Sequence, residues 1–213
     1  MLLVLLACMH RPPTTASSAE VPGDPSVSAD PCTLLFDRGV ALYNAGSTER
    51  AATTWTGGYT QCGPGHGFLA QQALAAAKLE HYDDAARLAL QELSEPGPTP
   101  LALKLLIAMR LQVSTAVTSE VYARGRSPEG AIMVPDIQGE YAWIRLLLCS
   151  GREEALRQAL VQGPHGSLDQ MQFVCPGGGG PQTLYFDYSG DAMEQALQGE
   201  QHAPATGGGT GGE

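Results

Sequence analysis

A chain of 213 residues with 43% hydrophobic and 6% aromatic residues can build one domain with a real core. Its formal net charge is -10, and its ten arginines and two lysines form no basic cluster. That excludes a nucleic-acid footprint, which needs grouped cations to release counterions from phosphate; the acidic balance serves solubility instead.

The chain begins with an apolar run from Met1 to Ala7, followed by Cys8. Leu5-Leu6-Ala7-Cys8 resembles the lipobox of bacterial lipoproteins. The resemblance implies that residues 1–7 are a signal peptide and that Cys8 becomes an acylated N-terminus on the cell envelope. Met9, rather than an aspartate, implies the outer membrane, facing the periplasm. No Lys or Arg precedes the run, and it is shorter than the roughly 7–15 residues of an ordinary signal core, as a start codon set too far downstream would produce. The bland alternative is an apolar N-terminus, or a secretory signal cut elsewhere.

Residues 8–31 are rich in Pro, Ser, Ala and Thr and nearly free of large apolar side chains. Such a stretch buries too little surface to fold and suits a tether between anchor and domain.

Residues 34–65 carry Gly39, Gly46, Ala51 and Trp55, and resemble a tetratricopeptide repeat (TPR). A shift of 34, that family's period, sets Gly39 on Ala73, Ala51 on Ala85 and Trp55 on Ala89. The second copy, 69–96, turns through Glu80-His81-Tyr82-Asp83-Asp84-Ala85, and departs from the first where Glu80 replaces Gly46. Arg38 also stands where the family has an aliphatic residue. Pro96, Pro98 and Pro100 mark a helix break before a fainter third pair containing Ile107 and Ser119. A last pair is expected as Glu140–Cys149 and Arg152–Val161 around Gly151. The expected fold is mainly α: a short superhelix of three to four TPR-like helix pairs over 32–166. An unrelated Ala-rich helical bundle is the alternative.

Setting Cys8 aside, four cysteines remain, and four allow three connectivities. In a helical hairpin of this kind, the start of the first helix lies beside the end of the second. Cys32 and Cys62 occupy those places, which leaves Cys149 for Cys175. Buried free thiols are the alternative, ordinary in a reducing compartment but not in an oxidising envelope.

Past Gly166, the run Leu168, Met171, Phe173, Cys175, the turn-forming residues 176–181 and the strand-forming residues 183–188 predict a β-hairpin over 167–188. A hairpin alone is marginal in water, so it should pack a Leu184/Phe186 or Tyr185 face on the last helices. Recruitment of a partner by strand addition is the sharper alternative. Residues 189–213 read as a disordered Gly-rich tail with one short amphipathic stretch around Met193, Ala196 and Leu197.

Chemistry is sparse. Cys62 and His66 are two metal ligands where a site needs three or four, and His81, His165 and His202 read as surface residues. No metalloprotease helix, nucleophile elbow or phosphate loop occurs, so neither a catalytic residue, a metal nor a cofactor is expected. The TPR resemblance implies a groove for an envelope protein or peptide lined by Phe36, Val40, Tyr43, Asn44, Leu74, Ala77 and Lys78; the bland reading of Phe36 and Val40 is core. The expected function is a non-enzymatic, lipid-anchored scaffold, accessory to outer-membrane assembly, secretion or pilus formation as in resembling proteins. The competing reading is a small envelope hydrolase or ligand-binding lipoprotein with a pocket between helices and hairpin.

Overall fold

The computed structural model describes residues 30–164 and 166–188; Cys8, the tether up to Ala29, His165, His202 and the tail from Ser189 lie outside the described residues. The first helix, α1 (Pro31–Asn44), starts at a proline whose missing N–H costs nothing there, and the Asp30 carboxylate accepts from the Thr33 amide at 3.1 Å. It is followed by α2 (Thr48–Cys62), α3 (Phe68–Lys78), α4 (Tyr82–Glu92), α5 (Pro100–Met109) and α6 (Thr115–Ala123). Successive helices pack on one another from α1 to α5, while α6 lies against α4.

The two hairpins α1–α2 and α3–α4 repeat each other at a shift of 34 residues, down to single hydrogen bonds. Their first helices end at Asn44 and Lys78, and their second helices begin at Thr48 and Tyr82. In the turns, the Ser47 amide donates to the Leu42 carbonyl at 2.9 Å and the His81 amide to the Ala76 carbonyl at 3.0 Å. Ala51 and Ala85 are fully buried, as are Trp55 and Ala89. Where Trp55 is large, its neighbour is small: a Cβ on Gly39 would lie 2.1 Å from the indole nitrogen, which donates to the Phe36 carbonyl at 3.2 Å. Gly58 does the same for Phe68, which would meet an added Cβ at 2.4 Å.

Beyond α6 the chain makes a short strand, β1 (Ile132–Val134), then α7 (Ile137–Ala142), which widens into a π-helical segment, Trp143–Leu148. Three longer strands follow, β2 (Glu154–Gln162), β3 (Ser167–Cys175) and β4 (Gly178–Tyr188), in a sheet of order β1-β4-β3-β2. Only β1 and β4 run parallel. The expected helix Arg152–Val161 is therefore a strand. Leu156 and Leu160, four apart, satisfy one face of a helix and one face of a strand equally well, and the Ala, Glu, Gln and Arg around them favour helix. Pairing with β3, from Glu154 opposite Val174 to Gln162 opposite Ser167, overrides that preference. The other half of the expected pair, Glu140–Cys149, is split between α7 and the π-helix.

The hairpin β3–β4 is present, but it sits inside the sheet, with β1 along one side and β2 along the other. β1 covers only Phe186 to Tyr188 of β4, whereas β2 runs along β3 from Ser167 to Val174. Its Met171, Phe173, Leu184 and Phe186 side chains are buried in one cluster with Ala85, Leu106 and Trp143, so helices and sheet share a core. Tyr185 points to the other face, where its hydroxyl accepts from the Gln170 side chain at 3.0 Å.

Two disulfides close the structure. Cys32 joins Cys62, with Cα atoms 5.9 Å apart, tying the start of α1 to the end of α2. Cys149 joins Cys175 at a Cα separation of 4.9 Å, tying the end of the π-helix to the end of β3. Among the described residues no helix is long and apolar enough to cross a membrane.

Candidate functional site

The repeat sets the first helices of the two hairpins side by side, and their C-terminal ends meet through Tyr43 and Lys78. The Lys78 ammonium lies 4.2 Å from the centre of the Tyr43 ring, a cation–π contact at an open surface. Tyr43 also tilts against Trp55, at 6.0 Å between ring centres. Burial raises its hydroxyl above the ordinary tyrosine range, which keeps it a neutral donor.

Further along α1, Phe36 tilts against Phe68 at 5.9 Å. Phe36, Val40 and Tyr43 are half-buried and pack on the small cluster of Ala51, Trp55, Phe68 and Ala75. Leu74 and Ala77 are half-buried too, but pack on the larger core cluster. Asn44 and Lys78 are exposed. The seven residues of the expected groove therefore divide. Tyr43, Asn44 and Lys78 sit at the ends of α1 and α3 with polar groups available, whereas Phe36, Val40, Leu74 and Ala77 spend part of their surface holding the helices together.

At the other end of α1, Cys32, Thr33, Phe36 and His66 enclose a shallow hollow of about 220 Å³. The His66 ring stands 6.1 Å from that of Phe68. Cys62 is consumed by its disulfide, so the Cys62/His66 pair has no thiolate to offer a metal. Among the described residues no group of three His, Cys, Asp or Glu side chains could hold a metal ion.

Polar contacts stiffen the α4 end of the repeat. The Tyr59 hydroxyl donates to the Glu95 carboxylate, and the Gln91 amide donates to the same carboxylate at 3.1 Å. Glu92 is buried and accepts from the Thr99 amide at 3.3 Å; burial is the larger influence and raises its pKa. The Asp83 carboxylate accepts from the Ser114 amide at 2.7 Å, which couples the start of α4 to the start of α6 and lowers its pKa.

A second concavity, which the residue pattern did not reveal, opens between the end of α5, α6 and the π-helix. It is lined by apolar side chains including Leu106, Val117, Val121 and Leu147, with Arg110 and Ser150 at its edge. The run Leu101 to Leu111 is apolar except for the exposed Lys104 and Arg110, and that was its one legible trace: such a helix has more apolar surface than a single neighbour covers.

Comparison with protein-family models, with curated proteins and with solved structures finds no match for this chain.

Proposed function

We propose that the protein is a lipid-anchored lipoprotein of the bacterial envelope whose α1–α4 layer is a TPR-like, non-enzymatic scaffold for a protein or peptide. The observation that carries the reading is the 34-residue repeat of α1–α4, with equivalent hydrogen bonds in both turns and buried Ala51 and Ala85 at equivalent places. Helix pairs stacked this way form a curved surface in repeat proteins, and their first helices share one side of it. Tyr43, Asn44 and Lys78 would then give the partner an aromatic face, an amide and a cation at that side. Two disulfides fit an oxidising compartment outside the cytoplasm. Cys8 supplies the anchor, and the outer membrane facing the periplasm is the proposed address.

The test is affinity purification from solubilised envelopes after mild crosslinking, with wild type, Cys8→Ala and a Tyr43→Ala/Lys78→Glu double variant in parallel. The expected result is an envelope protein that co-purifies with wild type and is lost with the double variant. Retrieval of the same proteins by all three chains would overturn the groove. An unacylated Cys8 in the envelope-expressed chain, read by mass spectrometry, would overturn the anchor.

A further inference from the structure

The cleft between α5, α6 and the π-helix has a volume of about 140 Å³ and is open on one side. Polar groups of Arg110, Thr118, Tyr122 and Ser150 share its lining with aliphatic walls. Leu106, Val117, Val121 and Leu147 provide most of them, all buried or half-buried. At the mouth stand Leu146 and Tyr122, which are 40% and 42% exposed. The aliphatic part of this space suits an apolar group, and its volume is close to that of an engineered cavity of about 150 Å³ that takes benzene. The occupant's apolar part is therefore about the size of a single ring or a five- to six-carbon chain.

The mouth also carries a charge. Arg110 lies at the edge of the cleft, immediately after α5, and one of its terminal nitrogens donates to the Ile107 carbonyl at 2.9 Å. Among the described residues no acidic side chain forms an ion pair with it, as holds for most of the other described arginines; Arg87 and Arg145 have carboxylate partners. A guanidinium left over on a chain of net charge -10 is complementary to an anion, and its planar fork suits a carboxylate.

Local backbone geometry marks the same place. Ser150, at the cleft edge, has φ of 52°, a conformation that costs a non-glycine residue free energy. It follows Cys149, whose amide closes the π-helix on the Ile144 carbonyl at 2.9 Å and whose side chain is bonded to Cys175. π-helical turns are uncommon and concentrate at functional sites. The disulfide ties the residue before this corner to the end of β3.

We propose that this cleft binds a small apolar monocarboxylate, with its hydrocarbon part between α5, α6 and the π-helix and its carboxylate on Arg110. The site is separate from the α1–α3 face and does not depend on the scaffold reading. Arg110 fixes the sign of the ligand's charge, and the cleft fixes its length.

The test is an NMR titration of the full chain, both disulfides formed, with sodium hexanoate, 1-hexanol and hexylammonium chloride. Hexanoate is expected to shift the Val117, Val121 and Leu147 methyls saturably, with a Kd of about 1 mM or below. Hexylammonium should bind at least about tenfold more weakly, the order expected for losing one charge-assisted contact. Arg110→Gln should weaken hexanoate about tenfold and leave 1-hexanol unchanged, while Val117→Phe should abolish both. Arg110 is exposed, so its variant keeps the core and decides the matter even if V117F fails to fold. Absence of saturable methyl shifts, equal binding of hexanoate and hexylammonium, or an R110Q variant that binds hexanoate like wild type would each overturn the proposal.

Discussion

Glu80 holds the left-handed backbone conformation that Gly46 holds 34 residues earlier, with φ of 64° against 81°. Both residues close the turn between the helices of a hairpin, and their amides donate to equivalent carbonyls, Tyr43 for Gly46 and Ala77 for Glu80. Glycine reaches that conformation freely, whereas glutamate crowds its Cβ against the backbone. Glu80→Gly should therefore stabilise the protein by about 0.5–1 kcal/mol, net of the entropy glycine adds to the unfolded chain. Gly46→Ala should cost about 1 kcal/mol. Urea midpoints of the two variants, measured against wild type, check the sign of each.

Gly39 and Trp55 predict a sharper effect. An added methyl would need to occupy the space of the indole nitrogen, 2.1 Å away, and would break the indole's bond to the Phe36 carbonyl. Trp55 is fully buried, so it has no easy retreat. Gly39→Ala should cost about 3 kcal/mol, at the upper end for overpacking, while Gly57→Ala on the exposed side of α2 should be neutral or slightly stabilising. Thermal melts followed by circular dichroism would separate them.

Removing the Cys32–Cys62 bridge opens a loop whose ends are 30 residues apart in sequence. The chain-entropy account gives a loss of about 3–4 kcal/mol for such a loop. A Cys32→Ala/Cys62→Ala variant should show that loss in urea without losing the hairpin, because Ala51 and Trp55 of α2 still pack with Phe68 against Phe36, Val40 and Tyr43 of α1. Alkylation before and after reduction gives the complementary check: wild type should expose the thiols of Cys32, Cys62, Cys149 and Cys175 only once reduced.

Glu92 sets a pH dependence. Burial raises its pKa in the folded state, outweighing the Thr99 amide that favours the charged form. The folded protein then keeps this proton to a higher pH than the unfolded chain does, so Glu92 lowers stability as pH rises from the ordinary glutamate range through its folded value. Glu92→Gln keeps an acceptor for Thr99 and removes the ionisation. The variant should gain on wild type as pH rises above the ordinary glutamate range, and a difference that stays constant with pH would refute the assignment.

Ala159 reports on β2. It is exposed, pairs with Gln170, and lies in the segment whose composition favours helix. Replacing it with Thr should stabilise the strand or leave it unchanged, whereas in a helix the same change would cost about 0.5 kcal/mol. Chemical denaturation of A159T decides between the two.

Glycine, alanine and turn residues at a fixed interval made the α1–α4 repeat legible, because close helix packing admits few side chains at Gly39, Ala51, Ala73 and Ala85. Those positions follow from local periodicity and from contacts between neighbours in the chain. The hairpin β3–β4 was legible for the same reason: its strands are adjacent in sequence and rich in strand formers. The strand state of residues 154–162 was not, since Leu156 and Leu160 fit either periodicity and only alignment with β3 decides between them. Nor could periodicity show that β1, contributed by residues 132–134, pairs with β4 more than fifty residues later. The Arg110 cleft is tertiary in the same sense: it exists only where α5, α6 and the π-helix meet, and none of them shows it alone. Sequence by itself determined the repeat and the sites of close contact, because these are short-range steric demands. Tertiary structure alone decided the sheet and the cleft, because both are set by partners distant in the chain.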